Sequence, residues 1–324
     1  MNGTSRVPAS PDRLEVTPAP AQPARRALLL AAGGALAAGA LPSSRAIAQE
    51  YGTPFGPSNP ESVKRMIELA DLRDGQVVAD LGSGNGQIVI AAALSNPRVR
   101  GWGVDLQEWL VKTAIESAAK QGVSDRAQFF QRNAFDVDLR EVDVINMWLF
   151  ANLTRLLRTK ILAEARPGTR VLVNGQLIGT ENILGNWQPD LVDRESPNPI
   201  LKWWVPAKVE GFWSWQLPLG GTSYTYDFVL QQQFQVVEGT GRIGNRRESI
   251  SDTRLRGTEL SFVFDMTITG FGRAKHEFVG QVAGDQIRGK VTVSPVDGKP
   301  FELPWTATRA ATSGWFRPTG LDLK

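Results

Sequence analysis

From Ser58 to Asn174 the apolar positions alternate between two rhythms. Val63, Met66, Ile67 and Ala70 recur at helical spacing, behind a start signal in which Ser58 can cap, Pro60 fits the first turn and Glu61 can return the capping bond. Residues 76 to 81 read as a buried parallel strand ending in Gly82-Ser83-Gly84-Asn85-Gly86, and residues 87 to 94 continue as a helix. Strand 99 to 106, helix 107 to 120, strand 127 to 131, strand 142 to 149, a helix near 152 to 164 and strand 169 to 174 follow. Strands joined through helices in this order predict a doubly wound α/β domain with right-handed crossovers, whose ligand sits over the carboxyl ends of the strands.

From about Val209 the rhythm changes to period two. Trp213, Trp215 and Leu217 share one strand face, as do Tyr224, Tyr226, Phe228 and Leu230, and then Leu260, Phe262, Phe264, Met266 and Ile268. Glycine-rich turns separate further runs at 278 to 282, 287 to 293 and 305 to 309, so the second domain is expected to be an antiparallel all-β sandwich or barrel. Its aromatics can line an apolar pocket, pack on the first domain or simply form a core. The expected division is a leader over 1–48, an α/β domain over 49–207 and the β domain over 208–324.

Composition narrows the chemistry. The chain of 324 residues has no cysteine and a single histidine, His276, which removes thiol nucleophiles, zinc–thiolate sites, disulfides and a His-centred triad. His276, in Arg-Ala-Lys-His-Glu-Phe, reads as a solvated strand residue. The net charge of +3 belongs to residues 1 to 48, which hold five arginines against two acids. The remainder is neutral and gives no reason to expect a nucleic-acid partner.

Residues 1 to 24 are rich in Pro, Ala and Ser without apolar period. Arg25-Arg26, the Ala/Leu/Gly run from Ala27 to Leu41, Arg45 and the small-residue site Ala46-Ile47-Ala48 follow the order of an export signal and resemble a twin-arginine one. The expectation is an exported, periplasmic protein whose only membrane contact is through this signal. A mitochondrial presequence and an uncleaved membrane anchor are the alternatives.

The glycine loop is more informative in its spacing than in its presence. A dinucleotide fingerprint needs a third glycine at 87, where Gln87 stands, and this disfavours a nicotinamide enzyme. Val78-Ala79-Asp80-Leu81-Gly82-Ser83-Gly84-Asn85-Gly86 instead resembles motif I of the class I S-adenosylmethionine-dependent methyltransferases, which have a Rossmann-like fold. The wider pattern, with Phe55-Gly56-Pro57-Ser58, Val63, Met66, Ile88-Val89-Ile90 and the stretch Asp136 to Leu139, resembles the bacterial and mitochondrial lysine methyltransferases that modify membrane carrier and ATP-synthase ring proteins. Phe55 replaces the usual Tyr of that group, and Asn85 and Gln87 replace its common Asp and Arg.

That resemblance implies S-adenosylmethionine as cofactor, held by Asp80, Gly82, Ser83, Gly84 and Gly86 of the loop. Asp105 and Leu106, at the end of the second strand, are expected at the ribose, although Asp105 could equally cap the next helix. Asn133, Ala134 and Phe135 are expected at the adenine, the alternative being a polar turn and a core aromatic. Pro57 and Ser58 are expected to help enclose the cofactor. No metal is called for.

Methyl transfer is an in-line displacement at an activated sulfonium carbon, so alignment and water exclusion matter more than a side-chain base. Asn146 and Trp148, on the fourth strand, stand where acceptor-positioning residues lie in this fold; Trp148 alone could be core. The expected acceptor is a protein lysine or a small molecule. An exported, methyltransferase-like binding protein without turnover is the competing reading.

Overall fold

A computed structural model describes residues 56 to 175 and 183 to 310. The expected leader, residues 1 to 48, lies outside the described residues, as does Phe55. Five parallel strands form the body of the first sheet: β1 Val77–Leu81, β2 Arg100–Asp105, β3 Ala127–Gln131, β4 Val144–Met147 and β5 Arg170–Asn174. Two further strands, β6 Leu191–Asp193 and β7 Ile200–Trp204, complete the order β3-β2-β1-β4-β5-β7-β6. β7 runs antiparallel to both neighbours, which the alternation of strands and helices did not foretell.

Helices α1 Pro60–Ala70, α2 Gln87–Ser95, α3 Glu108–Lys120 and α4 Ala151–Glu164 cover the two faces. α1 and α2 bury Val63, Met66 and Ile88 against Val78, Val144 and Leu172, whereas α4 buries Leu157 and Ile161 with Ala79, Leu81 and Ile145 on the other side. The cap of α1 is Asn59, whose side chain accepts from the Glu61 amide at 2.8 Å, and not Ser58; Pro60 then occupies the first turn.

α1 has no basic residue in its last turn. Its terminal carbonyls are met from the sheet instead. The Arg170 guanidinium donates to the carbonyls of Ala70 and Asp71, and Lys202 Nζ donates to the carbonyl of Leu69. Cations at a helix carboxyl end offset both the orphaned carbonyls and the macrodipole. Burial pushes the Lys202 ammonium down to about 8, against its ordinary 10.5, with the nearby Arg170 and Arg256 charges adding to the effect.

The second sheet has nine antiparallel strands: β8 Gly211–Leu219, β9 Thr222–Gln233, β10 Val236–Ile243, β11 Arg246–Ser249, β12 Ser251–Arg256, β13 Glu259–Ile268, β14 Gly272–Ala283, β15 Gln286–Pro295 and β16 Phe301–Ala310. β16 pairs back onto β8 at Thr308 and Ser214, and the Ile250 amide donates to the Gly239 carbonyl at 3.0 Å, so the sheet is a nearly closed barrel. Its inner faces carry the period-two residues. Trp213, Trp215, Tyr226, Phe228, Phe262, Phe264, Phe278 and Trp305 fill it as one aromatic core, with Trp215 stacked on Tyr226 at 5.6 Å.

The barrel joins the first domain at the amino ends of β4 and β5. The Ala207 amide donates to the Gly257 carbonyl at 2.7 Å, Phe234 stacks on Trp187 at 6.0 Å, and the Arg256 guanidinium lies 3.5 Å over the Trp204 ring. The carboxyl ends of the parallel strands are at the opposite edge.

His276 is fully buried in the barrel, contrary to the solvated position expected for it. Its Nδ1 lies 3.2 Å from the Phe264 carbonyl and its Nε2 lies 2.9 Å from the Tyr226 hydroxyl. A carbonyl only accepts, so Nδ1 carries the proton and Tyr226 donates to Nε2. The strand alternation carried the signal, because His276 stands two residues before Phe278 and so on the same inward face of β14. Burial lowers the imidazole to about 4 from its ordinary 6.5 and raises the Tyr226 phenol.

The folded-state value lies below the unfolded one, so this stabilisation is complete above pH 6.5 and declines as pH falls toward about 4. Urea unfolding is expected to show wild type losing about 3 kcal/mol more than His276→Gln between pH 7 and pH ~4. Equal losses would mean that His276 titrates as freely in the folded chain as in the unfolded one.

Candidate active site

The carboxyl ends of β1, β2 and β4 open into one cleft. β1 turns at Gly82, and the chain passes through Gly84 and Gly86 into α2 with φ of 92°, 51° and 84°. Those left-handed values are natural to glycine and costly to other residues. At Gly86 space is also short: an added Cβ would lie 2.6 Å from the Phe129 ring and 2.9 Å from the Ala114 Cβ.

Asp105 fastens this loop to the neighbouring strand. Its Oδ2 accepts from the Gly84 amide at 3.0 Å and its Oδ1 accepts from the Gln107 amide at 2.9 Å. Asp105 therefore ties the glycine loop to the approach to α3, whose cap residue is Gln107, and it also lines the cleft. A carboxylate offers about four lone-pair directions, so two bonds leave acceptor capacity facing the cleft.

The cleft is open on one side and takes in about 1050 Å³ with the solvent at its mouth included. Asp80, Gly82, Ser83 and Gly84 form its floor; Asp105 and Leu106 form one wall; Asn133, Ala134 and Phe135 form the next. Pro57 and Ser58 close it from the amino-terminal side. Asn133 caps a 3-10 turn, Ala134–Asp136, through an Oδ1 that accepts from the Phe135 amide at 3.0 Å. Gly86 is not in the lining; it shapes the turn from behind. Trp148 is half-buried and lines the cleft, together with Leu149 and Leu153.

Asn146 is a correction. It is 1% exposed, does not line the cleft and lies directly across from Asp80 in the β1–β4 register. Two residues along a strand span about 7 Å on one face, so Asn146 sits that much lower on the sheet than Trp148, on the face that α1 and α2 cover. Further lining residues, Gln107, Leu110, Arg132 and Leu153, escaped the sequence reading. They lie just beyond strand ends or on the first turns of helices, and proximity to the predicted strand ends was their only signal.

Asp80 is 3% exposed. Burial, with the Asp105 carboxylate nearby, pushes its carboxyl up to about 8, which favours the neutral form. A cation placed against it would draw that proton away. The buried side chains with no hydrogen-bond partner among the described residues include the hydroxyls of Ser62 and Ser83 and both ends of the Asn146 and Asn174 amides. Such groups cost roughly 1–3 kcal/mol each when left unsatisfied.

The sheet order, the glycine turn and the acid at the end of β2 define a class I methyltransferase fold. The ANTKMT methyltransferase domain matches residues 80 to 189. A protein-lysine N-methyltransferase of Saccharolobus islandicus is 35% identical over 119 residues, covering 37% of this chain and 74% of the relative. The adenine nucleotide translocase lysine N-methyltransferase of Mus musculus is 30% identical over 159 residues, 49% of this chain and 66% of its own. A solved RNA methyltransferase from Salinibacter ruber, in complex with S-adenosyl-L-homocysteine, is 32% identical over 48% of this chain and 96% of its own, with a TM-score of 0.44. The chain belongs to the protein-lysine N-methyltransferases, S-adenosylmethionine-dependent enzymes of class I. The barrel lies beyond the matched domain.

Gly86→Ala combines a left-handed φ with a contact inside the Phe129 ring, and is expected to destabilise the protein by about 2–4 kcal/mol. Chemical unfolding measures this, and a loss below ~1 kcal/mol would show that the turn relaxes freely.

Proposed function

We propose that the protein transfers a methyl group from S-adenosylmethionine to the ε-amine of a lysine in a protein acceptor, with the cofactor lying across the carboxyl ends of β1 to β4. The observation that carries this reading is Asp105, whose carboxylate is held on both oxygens by backbone amides and still faces the cleft. Its remaining acceptor positions suit a ribose diol. Asp80 suits the ammonium of an amino-acid tail, and Leu106, Leu110 and Phe135 offer an apolar slot for adenine. The lysine acceptor is supported by the activities for which the Saccharolobus and mouse relatives are named.

When bound, S-adenosylmethionine supplies a methyl group already activated by its sulfonium. The chain has to bring a neutral amine into line with it and keep water out. Trp148, Leu149 and Leu153 form an apolar wall at the acceptor side of the cleft. In such surroundings an amine is more easily held uncharged, with its lone pair available.

Calorimetric titration with S-adenosylmethionine is expected to give micromolar affinity, weakened at least ~30-fold, about 2 kcal/mol, by Asp105→Ala. Labelled cofactor is expected to leave its methyl on lysine in a peptide digest of acceptor proteins. Binding without transfer to any protein or small molecule would make the chain a binding module. No binding would remove the cofactor reading of the cleft.

We further propose export through the twin-arginine signal, supported by Arg25-Arg26, the apolar run to Leu41 and the Ala46-Ile47-Ala48 site. That route carries folded proteins and would allow the cofactor to travel bound. Replacing Arg25 and Arg26 together by Lys is expected to retain the protein in the cytosol, as read by fractionation. Unchanged distribution would sink the proposal.

A further inference from the structure

Ser62 and Asn174 stand at about one level on α1 and β5, and Asn146 lies one step of the same sheet face lower on β4. Arg170, at the start of β5, bonds the carbonyl of Ala70 at the end of α1. Eight residues back along the helix, at 1.5 Å each, Ser62 stands roughly 12 Å higher. Asn174, four residues along the strand, stands roughly 13 Å higher. α1 packs on β5, so the two are neighbours. Asn146 pairs in register with Leu172, placing it on the face of Asn174 and on the adjacent strand. On its other side Asn146 is in register with Asp80.

The side chains around them, Val63, Met66, Val144, Leu172 and Ile200, are apolar. Leucine or valine could fill these positions without burying unpartnered polar atoms. Ser62 and Asn174 are fully buried, and both ends of each amide lack a partner among the described residues. One small molecule both donates and accepts in several directions and is common in protein interiors: water, bound where two to four polar groups converge. Of the four residues only Asp80 reaches the cleft.

We propose that Ser62, Asn146 and Asn174 bind internal water beneath the cleft and, through it, position the Asp80 carboxyl toward the cationic end of the cofactor. They are positioning residues and touch neither cofactor nor acceptor. The inference rests on the proposed place of Asp80 in cofactor binding. It explains why a strand otherwise reading Val171-Leu172-Val173 ends in a buried amide, and why a helix buries a serine on its core face. It also lets both protonation states of Asp80 be satisfied, since water beneath the carboxyl can accept from it in one state and donate to it in the other, while the proton displaced by a cation leaves to solvent through the cleft.

The test is calorimetric titration of S-adenosylhomocysteine into the full chain, in two buffers of different ionisation enthalpy so that released protons are counted. Wild type is expected to bind with proton release, and Asp80→Asn to bind weakly with none. Asn174→Leu and Asn146→Leu are expected to fold with an unchanged or raised unfolding midpoint, to lose about tenfold in affinity, and to release a different number of protons. Asn174→Ser, which keeps a polar group and leaves room for water, is expected to stay within about threefold of wild type. No binding by wild type would sink the proposed function itself. Normal wild-type binding, lost in Asp80→Asn but untouched in affinity and proton count by the leucine variants, overturns the inference alone. Should the leucine variants fail to fold, a high-resolution crystal structure decides: ordered water bonded to Asn146 and Asn174 supports the site, and a dry site overturns it.

Discussion

The Asp105 carboxylate, gripped by the amides of Gly84 and Gln107, is the constraint on which the cleft depends. One oxygen holds the glycine turn after β1, and the other holds the entry to α3, so two crossovers are fixed relative to each other by one side chain. The turn can approach Asp105 because Gly82, Gly84 and Gly86 adopt left-handed backbone and because no Cβ intervenes at Gly86, where Phe129 and Ala114 already fill the space. The same packing that buries Phe129 under α3 therefore shapes the ligand floor on the opposite side of the turn.

Support for that floor comes from far away in sequence. Pro57 and Ser58, just before α1, close the cleft at its upper end, and the lower end of the helix is held by Arg170 and Lys202, about 100 and 130 residues further along. Arg65 adds a contact to Asp193 on β6 at 2.7 Å. The helix is thus fastened to β5, β6 and β7, and Pro57 and Ser58 inherit their positions from those attachments. The barrel lies at the other edge of the sheet and leaves the cleft mouth to the first domain. Its interior is packed with aromatic rings and a neutral histidine, which is the arrangement of a structural core.

Charge is handled differently in the two buried sites. His276 is neutral and fully bonded, with a carbonyl and a phenol matching its two nitrogens. Burial favours the neutral form of Asp80 as well, but Asp80 faces a cleft and has the unsatisfied Asn146 amide beside it. A buried group that is satisfied stabilises one state of the fold. A buried group held short of satisfaction responds to whatever enters, which is why perturbed carboxyls gather at ligand sites.

Much of the first domain was legible in the sequence because its signals are local. Helical spacing placed α1, the glycine turn announced the end of β1, and strict alternation in residues 260 to 268 announced the inward face of β13. Asp105 and Asn133 could be proposed from their places just after strands. What the sequence by itself determined was the order and type of elements and the chemistry standing at the strand ends. The tertiary structure alone decided that β7 runs antiparallel, that Asn59 rather than Ser58 caps α1, that His276 faces a tyrosine, and that Asn146 lies below the cleft beside Asp80. Periodicity and turn chemistry are properties of neighbours in the chain, whereas burial and hydrogen-bond satisfaction depend on groups 50 or 100 residues apart that only packing brings together.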